Sequence, residues 1–172
     1  MDLRDKIDDS MGQLESLANR IPGYSGYKEK ENRREADAIL RDHIAREFET
    51  QWGRINDLKS QMLIGPAMKF LDDVGKSGRR LQTLVDKIKA AAQGYSGFFD
   101  AIKVDEEALD ALYQFDQDML DKVDEVSVAI DDVQNALDNE DGIAPAIRSL
   151  TRTIDDLITQ FDRRKDVVTG LY

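Results

Sequence analysis

Four places in this chain carry residue types that could do chemistry: His43, the step Gly75-Lys76-Ser77, the acidic run "DNEDG" at 138–142, and Asp116. Gly75-Lys76-Ser77 has the ending of a phosphate-binding loop. Such a loop also needs a glycine five residues before the second one, after a strand. Phe70 stands at that position and the surroundings read as helix, so the step predicts a small-residue contact on a helix face. "DNEDG" resembles a calcium loop, in which oxygen ligands precede a turning glycine and a bidentate glutamate closes the twelfth place. With Gly142 at the sixth place, Leu137 and Arg148 fall at the first and twelfth, and the run reads as a helix-ending turn.

A di-iron bundle would need Glu-x-x-His pairs on facing helices. The only histidine, His43, follows Leu40 by three residues and sits at the margin of an apolar stripe, where a packed or half-exposed ring is the simpler reading. The chain contains no cysteine, which excludes disulfides, thiolate metal sites and a cysteine nucleophile. With one histidine the usual hydrolase arrangements are largely closed as well. The expectation is a protein without catalytic residues, cofactor or metal.

Asp116 is different, because it interrupts an otherwise apolar helical seam. A carboxylate there must be paired, protonated or near an opening. A buried or half-buried pair that sets helix register is expected, with Arg79, Arg80, Lys87 or Lys89 as partner.

The elements that would position these groups are all helices. Leu3, Ile7, Met11, Leu14, Leu17 and Ile21 recur at three- and four-residue steps until Pro22-Gly23. A second stripe, within about Lys28 to Ile64, runs Ala36, Leu40, Ile44, Phe48, Trp52, Ile55, Leu58 and Met62, and ends at Gly65-Pro66. A third helix spans about Ala67 to Ala92, with Gly78 on its seam where a neighbouring backbone could approach. A fourth, about Val104 to Leu137, follows a heptad seam, and a fifth runs from Ile143 towards Val168. These predict an all-α, antiparallel bundle of about five amphipathic helices with coiled-coil-like packing, in a single domain over 1–172. Short connections make consecutive helices neighbours of opposite direction. Gly65-Pro66 reads as a hairpin rather than a kink, since glycine favours the end of one helix and proline the start of the next. The apolar "MLIGPAM" at 62–68 suggests that this turn is buried.

The net charge of −11 opposes non-specific binding to nucleic acid or an anionic membrane. Residues 104–142 alone carry −13, fourteen carboxylates against Lys122. Most of those acids read as a solvated face that could also dock a basic partner or bind divalent cations weakly. The charged N-terminus and the absence of a long apolar run predict a soluble, cytoplasmic protein.

The string Gly-Tyr-Ser-Gly occurs twice, starting at Gly23 and at Gly94. If the chain reverses at Gly65-Pro66, both strings lie at one end of the bundle. Recurrent helix-turn chemistry explains the glycines and serines. The rings of Tyr24, Tyr27, Tyr95, Phe98 and Phe99 either plug the bundle end or, being more than closing a bundle usually needs, form an aromatic platform for a protein segment or hydrophobic ligand. At "GYSGYKEKENRREAD" and "GYSGFFDAIKVDEEALDALYQFD" the chain resembles an uncharacterised family of bacterial helical proteins. That likeness covers about forty residues, through Tyr24, Tyr27, Arg33, Arg34, Tyr95, Phe98, Phe99, Asp105 and Tyr113, and implies no activity.

The functional expectation is a non-enzymatic helical protein-protein interaction or scaffold module. Tyr24, Tyr27, Tyr95, Phe98 and Phe99 would anchor another protein or a second copy, while Arg33, Arg34 and Lys103 orient acidic groups. The alternatives are a peripheral membrane-associated or self-assembling filament scaffold, and an enzyme or small-ligand binder with an unrecognised site.

Overall fold

The computed structural model describes residues 15–23, 33–94, 106–164 and 166. Among them the secondary structure is helical throughout: α1 over 15–20, α2 Arg33–Gln61, a 3₁₀ turn Pro66–Phe70, α3 Leu71–Gly94, α4 Glu106–Asp138 and α5 Ile143–Asp162. No strand occurs among the described residues. The protein is an all-α bundle.

The apolar stripes account for its core. Phe48, Ile55 and Leu58 of α2 meet Val74, Leu81, Val85 and Ile88 of α3, Val126, Ile130 and Val133 of α4, and Leu150, Ile154 and Leu157 of α5 in one cluster. Each such side chain contributes roughly 1.5–3 kcal/mol on burial, so spacing at three and four residues is what makes these segments hold together. Trp52, assigned to the α2 stripe by spacing, is a rim residue, 37% exposed. Gly78 on α3 is buried, but a Cβ there would meet the Ile55 side chain at 3.4 Å and the Trp52 indole nitrogen at 4.0 Å. Side chains, not a neighbouring backbone, occupy the space it leaves.

The chain does reverse at Gly65-Pro66. Gly65 adopts φ 88° and ψ −166°, a region essentially confined to glycine, and Pro66 opens the 3₁₀ turn. Helix α2 therefore ends at Gln61, before the predicted Ile64. Antiparallel pairing of α2 with α3 follows from Glu49 meeting Lys89 at 2.5 Å while Ile55 lies against Gly78.

The order of helices around the bundle departs from expectation. α2 packs on α3 and α4, and α5 packs on α3 and α4, so α3 and α4 occupy opposite corners. Helices α2 and α4 run parallel, since Arg54 meets Ser127 and Gln61 meets Gln134. Helices α3 and α5 are parallel too, with Ser77 against Thr151 and Lys87 against Asp162. Helices α2 to α5 do alternate in direction, yet α3 and α4 are not neighbours. Helix α1 runs parallel to α4, with Ser16 meeting Gln117 and Arg20 meeting Asp121, hence parallel to α2 and not opposed to it as expected. The eleven residues 95–105 between α3 and α4 could span up to about 36 Å, ample for a diagonal of a bundle whose axes lie 8–10 Å apart. Helix α1 lies against α4, where Leu17 and Ile21 enter the core and Arg20 donates to Asp121 at 3.0 Å.

Candidate functional site

The α2–α3 and α4–α5 turns lie together at one end of the bundle, and a cleft opens between them. Met62 closes the core, but the next residues do not follow it inside: Leu63, Ile64 and Met68 are 58%, 86% and 58% exposed. The expectation of a buried turn is thus corrected. Once Gly65 turns the chain sharply, the apolar run cannot keep one face towards the core. The residues after Met62 are carried outward.

The cleft between the two turns has a volume of about 670 Å³. Ile64, Ala67 and Phe70 line one side; Leu137, Ile143 and Pro145 line the other. Phe70, Leu137 and Ile143 are half-buried and packed against the core. Lys69 places its ammonium 4.9 Å from the Phe70 ring centroid, within cation–π range. The acidic run sits at the lip. It ends α4 as the sequence predicts, with Asn139, Glu140 and Asp141 donating back to Asn135, Leu137 and Ala136 carbonyls, Glu140 at φ 53° and Gly142 at φ 69°.

The other candidates resolve into structural roles. Asp116 is fully buried, and its partner is Arg164, whose Nη2 and Nε donate at 3.1 and 3.3 Å. The predicted partners on α3 are excluded by its diagonal position; Arg80 reaches Asp155, Lys87 reaches Asp162 and Lys89 reaches Glu49 instead. Spacing could not have found Arg164, because it lies past the last residue of α5 and 48 residues from Asp116. Ser77 is a buried small-residue contact on Thr151 at 2.7 Å, as expected for that step. His43 is half-buried beside a niche of about 230 Å³ shared with Arg20, Glu47 and Asp124. Asp121, Asp124, Glu125, Asp131 and Asp132 form an exposed face of α4, on which Asp121 and Asp131 pair with Arg20 and Arg54. Among the described residues no three His or carboxylate side chains converge as a metal site would require, and no helix is long and apolar enough to cross a membrane.

Of the sequence-predicted contact residues, Tyr24, Tyr27, Tyr95, Phe98, Phe99 and Lys103 lie outside the described residues, as does Asp105. Arg33 and Arg34 open α2, and their side chains, like that of Tyr113, are outside the described set. What fold and cleft together define is an all-α bundle with an open, apolar turn end. No family model, curated protein or solved structure matches the chain.

Proposed function

We propose that this chain is a non-enzymatic helical interaction module that docks another protein at the turn end of the bundle. The observation that carries this reading is the exposure of Leu63, Ile64 and Met68 within one six-residue stretch beside a cleft. Single exposed apolar residues are ordinary, whereas adjoining ones rimmed by polar groups mark interaction surfaces. Covering such side chains would contribute roughly 1.5–3 kcal/mol each, enough for a local hot spot. The aromatic strings, with Tyr24, Tyr27, Tyr95, Phe98, Phe99, Arg33, Arg34 and Lys103, are a second docking surface in this proposal, supported by sequence alone. The likeness to a bacterial helical family adds no activity to it.

The test is a photo-crosslinking amino acid placed at position 64 in the cell of origin, with position 83, on the exposed flank of α3, as control. Discrete higher-mass species are expected from position 64 and not from 83. Equal labelling at both positions would refute docking at this end.

A further inference from the structure

We infer that the cleft between the two turns selects a cationic segment carrying an apolar anchor: a stretch of a partner protein in which a large aliphatic or aromatic side chain is flanked by lysine or arginine. This rests on the proposed docking function and adds the chemistry of the partner.

The apolar half of the argument is the cleft itself. Its volume of about 670 Å³ falls within the ~300–1,000 Å³ of pockets that enclose a ligand or an anchoring side chain. Phe70, Leu137 and Ile143 offer half-buried apolar surface inside, and Ile64 stands at its mouth.

The electrostatic half comes from the carboxylates of the lip. Asp138, Glu140 and Asp141 are all exposed on the lip, and among the described residues none of them belongs to an ion pair. The lone lining cation is Lys69, which lies over the Phe70 ring. Helix α4 ends here and α5 begins here at Ile143, so the half-charges of opposite sign at the two termini offset each other and the carboxylates set the sign of the site. No basic residue in the last turn of α4 neutralises those carboxylates. By contrast, α2 ends at the same pole with Lys59 in its last turn. The site therefore lacks cations that its geometry favours, and a partner can supply them.

The same charges argue against a second copy as occupant. A two-fold pairing through this end sets like surfaces together, and would bring the carboxylates of one lip against those of the other. Acidic segments and nucleic acid are disfavoured for the same reason. A cationic partner gains attraction during approach and orientation on contact, while its apolar anchor supplies the desolvated core.

The test uses a fluorescein-labelled twelve-residue peptide of three Lys-Leu-Leu-Lys repeats, read by fluorescence anisotropy against the full chain at low and physiological salt. Two control peptides replace every lysine by glutamate or every leucine by serine. Three variants are compared, each checked for retained helicity: Asp138→Asn/Glu140→Gln/Asp141→Asn at the lip, Asp124→Asn/Glu125→Gln/Asp132→Asn on the α4 face, and Ile64→Ser. The leucine-lysine peptide should bind and both controls should fail. The lip variant should weaken it at least tenfold, the α4-face variant, with the same change in net charge, less than threefold, and Ile64→Ser at least fivefold.

Equal losses from the two charge variants would show diffuse attraction to an acidic protein and overturn the inference, as would equal binding of the glutamate peptide or no binding of the lysine one. If Ile64→Ser abolishes binding while the lip variant leaves it intact, docking at the turn end stands and the cationic preference falls. If Ile64→Ser changes nothing, the docking function itself falls.

Discussion

Replacing Asp116 by asparagine tests whether one buried ion pair ties the segment after α5 to the first third of α4. Both partners are withdrawn from water, with side-chain exposures of 0% for Asp116 and 2% for Arg164. The substitution keeps the volume and removes the carboxylate charge to which Arg164 Nη2 and Nε donate. Removing one member of such a pair costs about 3–5 kcal/mol, whereas replacing both by apolar residues of similar volume is often neutral or stabilising. For a chain of this size 1 kcal/mol moves Tm by about 2–4 °C, so Asp116→Asn should lower Tm by about 6–20 °C. Arg164→Met should do much the same, because it takes both of those donors from the buried carboxylate. The double variant Asp116→Leu/Arg164→Met should recover most of either loss. Urea unfolding followed by circular dichroism at 222 nm supplies the free energies, and hydrogen exchange around residues 157–164 reports whether the end of α5 loosens first. Three coincident, small losses below about 1 kcal/mol, typical of an exposed pair, would refute the reasoning, as would a double variant no better than the sum of the singles.

Gly65→Ala should destabilise the chain by roughly 1–3 kcal/mol through backbone strain alone, since a Cβ there meets no atom within 4 Å. Gly53→Ala has equal room but lies inside α2, and should stabilise by up to about 1 kcal/mol; denaturant titration of both variants separates conformational strain from crowding. Thr151→Val removes the 2.7 Å partner of buried Ser77 and should cost roughly 1–3 kcal/mol by leaving a polar group less well satisfied, read as a lower urea midpoint with unchanged slope. Changing Phe98 and Phe99 together to serine should weaken capture of a partner that uses the aromatic strings without loss of helicity, and unaltered capture in a quantitative pull-down would remove that surface from the proposal.

The sequence alone determined the helices and where they stop. Apolar side chains at three- and four-residue steps can face a common core only in a helix, and Gly65-Pro66 and "DNEDG" end helices through backbone preferences that act within a few residues. The reversal at Gly65 and the burial of Asp116 were legible for the same reason: one is local stereochemistry, the other the cost of a charge on an apolar seam. The tertiary structure alone decided which helices touch. An eleven-residue connection permits neighbouring or diagonal corners equally, so periodicity could not show that α3 lies across from α4, nor that Arg164, rather than a cation of α3, reaches Asp116. It also decided the outward fate of Leu63, Ile64 and Met68. Hydrophobicity says what a side chain gains by leaving water, but whether a core is within reach depends on the direction in which a turn carries the chain.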